Sequence, residues 1–113
     1  MTSSRDTYIN SLNRRDPSLR TSQFLLNPGS NLPAGQNGYG LGTASAGELI
    51  AMASKVESYK NMAETEAARC FHNIRDNHSD SVAIEGDRLA QRAVDVCNER
   101  RDLIVEELNK RFK

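Results

Sequence analysis

The 113-residue sequence predicts an all-α fold: a two-helix antiparallel hairpin, coiled-coil-like in its packing, carrying a long extended or irregular N-terminal arm. Three observations predict it. Apolar and small residues recur at three- and four-residue spacing from Leu49 to Ile74, and again from Val82 to Phe112. A polar stop, Asp76-Asn77-His78-Ser79-Asp80, divides the two stripes. Residues 27–42 are turn chemistry, with Asn27-Pro28-Gly29 and Asn37-Gly38 as strong breakers and five of the seven glycines between Gly35 and Gly47. Residues 1–42 therefore read as a polar Gly/Pro/Asn-rich arm, extended or disordered alone. Residues 43–113 read as the hairpin, with helices over about 46–75 and 80–112.

The arm opens with a short amphipathic stretch. Arg5 to Leu12 places Tyr8, Ile9 and Leu12 on one helical face, and Arg14-Arg15-Asp16-Pro17 stops it, because the residue before proline is pushed out of the helical region. Phe24, Leu25 and Leu26 form an apolar cluster in otherwise polar sequence. They and Tyr39 are the expected anchors of the arm, either onto the helices or into a groove on another chain. The linker that follows fits a flexible connection or an extended strap.

Ser45 and Glu48 have the spacing of a capping box at the start of the first helix. Leu49, Met52, Val56, Tyr59, Ala63, Ala67, Cys70 and Ile74 make its stripe. Lys55, Glu57, Lys60, Glu64, Glu66 and Arg69 are expected on a solvated face. Ser79 or Asp80 is the expected cap of the second helix. There Val82, Leu89, Val96 and Leu103 recur at intervals of seven, flanked by Ala83, Ala90, Cys97 and Ile104. Such a recurrence is a packing seam. Gly86 beside it admits a close approach, and Lys110, Arg111 and Lys113 complement the helix C-terminal dipole. The stop lacks Gly and Pro, so one long bent helix is the competing geometry; the poor helix propensity of Asn77, His78 and Ser79 favours the hairpin.

Composition narrows the function. Fifteen basic and fifteen acidic side chains cancel. Residues 1–42 carry four Arg against two Asp, and 43–113 carry eleven basic against thirteen acidic residues. Neither part has the basic excess of a nucleic-acid binder, so nucleic acid is not an expected partner. No stretch approaches the ~20 apolar residues of a membrane span, and Met1 to Asp6 lacks the apolar core of a secretory signal, which implies cytoplasmic synthesis. A foldable part of about seventy residues is small, and domains near that size bury only about 60% of their unfolded surface. Oligomerisation or docking on a larger partner is the expected remedy.

Candidate chemistry is sparse. Gly38-Tyr39-Gly40-Leu41-Gly42 before a helix lacks the preceding strand and fuller pattern of a phosphate loop. Cys70, His72 and His78 offer too few converging ligands for zinc, with Cys70 and His72 on different sides of one helix. Cys70 and Cys97 are expected apart in the hairpin, as buried reduced thiols. Pairing either with a histidine for nucleophilic chemistry needs a pocket that two helices do not easily enclose. Glu64/Glu66 and Glu106/Glu107 are expected to be solvated carboxylates. No cofactor and no enzymatic activity are expected.

The reading that remains is a non-enzymatic structural or assembly subunit of a virion, filament or cytoskeletal kind. Its seam (Leu49, Met52, Val56, Tyr59, Leu89, Val96, Leu103) would pack against copies of itself or other subunits, and its arm (Phe24, Leu25, Leu26, Tyr39) would strap onto a neighbour. The alternative is a soluble adaptor or chaperone-like helical protein with a single partner. The layout resembles the helical-hairpin subunits of type III secretion filaments, which also have polar N-termini. The two cysteines and the dense charge on both helices depart from that pattern, and no motif is shared.

Overall fold

The computed structural model describes residues 3–16, 20–33 and 40–112. Among them every regular element is helical: α1 (Ser4–Arg15), α2 (Arg20–Leu26), α3 (Pro28–Asn31), α4 (Ala46–Asp76) and α5 (Ser81–Arg111). The two long helices pack against each other as the hairpin, in a molecule of 51 × 25 × 20 Å.

Each long helix starts where its cap stands. Ser45 Oγ accepts from the Glu48 amide at 3.1 Å, and Asp80 Oδ1 accepts from the Ala83 amide at 3.0 Å. The polar stop resolves as a turn, in which Asn77 Oδ1 accepts from the Ser79 amide at 3.1 Å. On α4 the fully buried residues Leu49, Val56, Ala63 and Cys70 recur every seven positions. On α5 the buried row is Ala83, Ala90, Cys97 and Ile104, joined by Gly86, Leu89 and Ala93. Of the heptad expected to form the seam, Leu89 is fully buried, whereas Val82, Val96 and Leu103 are only partly buried. The seam is thus centred on the flanking, smaller row.

That row of small side chains leaves volume between the helices, and the arm fills it. The structure departs here from an arm left extended on its own. Its described residues form three short helices, α1, α2 and α3, that lie back along the hairpin. Tyr8 and Phe24 are the two largest fully buried side chains among the described residues, and Leu12 and Leu25 are buried beside them. Burying each contributes about 1.5–3 kcal/mol, a large share of the 5–15 kcal/mol that stabilises a typical domain. The arm is a third layer of the core.

α1 begins at Ser3, whose Oγ accepts from the Asp6 amide at 3.1 Å, and ends at Asp16 before Pro17. Its apolar face carries Tyr8 and Leu12 inward, with Ile9 half-buried beside them. The arm then runs from the turn end of the hairpin toward the open end. Ser4 Oγ donates to Ser81 Oγ at 3.0 Å, the Phe24 ring packs 4.7 Å from that of Tyr59, and Gly29 lies beside Arg100. At the open end Arg111 grips the segment entering α4, donating to the carbonyls of Leu41 at 2.8 Å, Gly42 at 3.4 Å, and Ala44. Arg111 therefore does more than face the C-terminal dipole of its own helix. It fixes the root of the arm.

Candidate functional site: the arm groove and the uncovered face

The groove that receives α1 is built around one carboxylate. The sequence places Glu66 on a solvated face; the structure corrects this, leaving Glu66 only 8% exposed. Periodicity along α4 does put it at the flank of the stripe, but α1 crosses that flank and closes it. Tyr8 Oη donates to Glu66 Oε2 at 2.6 Å. Arg15 donates to both carboxylate oxygens at 3.2 and 3.3 Å, and Arg69 donates to Oε2 from Nε and Nη2 at 3.3 and 3.1 Å. The Arg69 guanidinium also lies 5.8 Å from the Tyr8 ring centroid, within cation–π range.

These contacts set the local electrostatics. Burial works to raise the Glu66 pKa, but hydrogen bonds from Arg15, Tyr8 and Arg69 outweigh it and hold the carboxyl below its ordinary range. Burial, reinforced by the neighbouring Glu66 carboxylate, pushes the Tyr8 phenol far above its usual value. Burial likewise raises the Cys70 thiol. The Glu66 carboxylate thus accepts from Tyr8, Arg15 and Arg69 together, so the cluster is suited to holding α1 in place.

Gly86 completes the seat. A Cβ at this position would stand 2.5 Å from Tyr8 Cε2 and 2.7 Å from Cys70 Sγ. The sequence leads one to expect a backbone to approach at Gly86; what approaches is an aromatic ring and the Cys70 sulfur. Farther along, Arg92 Nη2 donates to the Leu26 carbonyl at 2.8 Å, satisfying the C-terminus of α2.

The structure brings together some of the residues singled out from the sequence and separates others. Phe24 and Leu25 are fully buried within their own chain, and Leu26 is half-buried. Tyr39 lies outside the described residues. Leu49, Val56 and Leu89 are buried in the seam, with Met52, Tyr59, Val96 and Leu103 partly buried at its edges. Cys70 and Cys97 are free, buried thiols, the second pushed up to about 11 by burial. Among the described residues, no group of three or more His, Cys, Asp or Glu is placed to hold a metal ion. Also among them, no helix is long and apolar enough to cross a membrane.

A second surface remains uncovered. Between α4 and α5 an open groove of about 370 Å³ is lined by Ala67, Ala68, Phe71 and Val94 with Glu64, Asp87 and Gln91, and no arm residue contributes to it. Phe71 is 63% exposed at its rim. Comparison with protein-family models, curated proteins and solved structures found no match to this chain.

Proposed function

We propose that the chain is a non-enzymatic structural or assembly subunit that associates with copies of itself or with other subunits of a larger assembly. The observation that carries this reading is the spacing of the large apolar side chains left on the surface. Ile50 and Phe71 are exposed on α4 three heptads apart, and Ile84 and Val105 are exposed on α5 three heptads apart. At ~1.5 Å per residue both intervals are about 31 Å. Two apolar stations therefore sit at matching positions on the two helices, Phe71 with Ile84 near the turn and Ile50 with Val105 near the open end. A third-party helix or a second hairpin laid along this side meets apolar surface at both ends. Isolated exposed apolar residues are ordinary; a matched pair of stations is a reason to expect a contact.

Near-zero net charge supports the same reading, because copies of the chain do not repel one another at long range. The test is light scattering coupled to size exclusion over about a hundredfold range of concentration, with circular dichroism on the same samples. The expected result is association that grows with concentration and is lost in Phe71→Ser/Ile84→Ser while helicity is kept, since both side chains are already exposed. A helical monomer at every concentration refutes self-association and favours the adaptor reading.

A further inference from the structure

Every contact that seats the arm runs between the arm and the hairpin, and none depends on the two belonging to one chain. Tyr8 and Arg15 meet Glu66, the Phe24 ring meets Tyr59, and Arg92 holds the Leu26 carbonyl. The root of the arm is held separately, where Arg111 binds the carbonyls of Leu41 and Gly42 at the open end of its own hairpin. Seven Cα–Cα steps separate Pro33 from Gly40, and that length of chain reaches about 25 Å when extended. The molecule measures 25 × 20 Å across its long axis. With its root fixed, an arm can thus reach the groove of a hairpin lying alongside. The seat also contains a weak point: beside Gly29, Arg100 keeps a buried Nε with no hydrogen-bond partner among the described residues, and such a group costs free energy while it stays buried.

We propose that the arm exchanges between copies: the groove around Glu66, Cys70 and Gly86 is an interaction site for helices α1, α2 and α3 of a second copy of this chain. The inference rests on the assembly reading above and gives it a mechanism. Exchange keeps every arm–groove contact and is a low-cost route from monomer to dimer. Reciprocal exchange closes a dimer, and one-directional exchange extends a chain of subunits. Within one chain the arm is held at an effective concentration in the millimolar range, so exchange prevails where copies are concentrated or already held side by side. A neighbour docked on the uncovered face supplies that condition.

The Ser4–Ser81 pair gives a direct test. Their hydroxyl oxygens are 3.0 Å apart at the surface, so S4C/S81C places two thiols within reach of a disulfide between arm and hairpin. The full-length variant is incubated across about a hundredfold range of concentration, diluted, oxidised at once and run on a non-reducing gel, with S4C and S81C singly as controls. Cys70 and Cys97 are buried while the arm is seated, and the single variants report any crosslink these thiols make when the groove opens. The expected result is a covalent dimer that dominates at high concentration and falls to nothing on prior dilution. If the crosslink is intramolecular at every concentration while light scattering still shows oligomers, exchange is refuted and the assembly reading stands. If the protein is also monomeric throughout, both fall. Mixing provides a second readout that needs no engineered disulfide. Tyr8→Ala carries a defective arm and Glu66→Ala a defective groove, and an exchanged heterodimer restores one intact arm–groove pair. The mixture then unfolds at a higher midpoint than either variant alone; no gain on mixing refutes exchange.

Discussion

Substituting Gly86 by alanine tests whether the arm is part of the core. In an ordinary helix the change is stabilising, because alanine is favoured over glycine by about 0.8–1 kcal/mol in a helix interior. At this site the added methyl would lie 2.5 and 2.8 Å from Tyr8 Cε2 and Cδ2 and 2.7 Å from Cys70 Sγ. The ring has little freedom to retreat, since its hydroxyl is held to Glu66 at 2.6 Å. Overpacking of this kind costs about 1–3 kcal/mol. Where the ring cannot yield, the upper half of that range applies, and the net effect is a loss of about 1–2 kcal/mol after the propensity gain. For a domain of this size that lowers the midpoint of thermal unfolding by roughly 4–16 °C. The assay is thermal and urea unfolding followed by circular dichroism. Its decisive arm is the same substitution in a Tyr8→Ala background. There the methyl enters space the ring has vacated, Cys70 can shift, and Gly86→Ala becomes neutral or stabilising by up to about 1 kcal/mol. A change of sign between backgrounds is the signature of a contact between α1 and α5. Gly86→Ala stabilising the wild-type chain would refute the seating of Tyr8 on Gly86, and with it the three-layer core.

Three further outcomes are expected. Glu66 is ionised in the fold with a pKa below its unfolded value, so its contribution is present above about pH 4.3 and is lost as pH falls through the folded pKa; Glu66→Gln flattens the acid limb of a stability–pH profile and costs about 1–3 kcal/mol at neutral pH. Phe24→Ala removes one of the two largest buried side chains and costs about 3–5 kcal/mol, a loss measurable as a lower urea midpoint and absent if the arm is a dispensable tail. Cys97 titrates at about 11 in the fold against about 8.5 unfolded, so stability declines as pH rises above about 8.5 and Cys97→Ser removes that part of the decline, read by urea unfolding at stepped pH.

Much of the hairpin was legible in the sequence because it is written in local chemistry. Ser45 and Glu48, Asp80 and Ala83, and the Asp76–Asp80 stop act over four or five residues, and each is found where the spacing puts it. Tyr8, Ile9 and Leu12 likewise announce α1. The docking of the arm is not written that way. α2 and α3 have seven and four residues, too few turns for a periodicity to emerge, and Phe24-Leu25-Leu26 reads equally as an anchor within the chain or onto another. Glu66 was misplaced for a related reason: a helical wheel knows one helix, whereas burial at the flank of α4 depends on what crosses it. A signal did exist. Ala63, Ala67, Cys70, Ala83, Gly86, Ala90 and Ala93 make the turn-proximal half of the seam small apart from Leu89, and a seam of small residues either closes tightly or calls for bulk from outside. Tyr8, Leu12, Phe24 and Leu25 were the bulk available.

Size complementarity of this kind makes the arm part of the fold. A hairpin whose seam was filled by its own leucines would be indifferent to its arm, and the arm would be free to act as a tether alone. Here the arm carries Tyr8 and Phe24 into the core, so a groove left empty exposes Cys70 and the small seam to water. A chain that lends its arm to a neighbour must therefore receive one, and an unfilled groove is a strong incentive to capture the next copy. The proposed exchange needs no chemistry beyond burial and the Glu66 cluster. A mostly polar arm is part of the core because its few large side chains provide volume that the hairpin lacks.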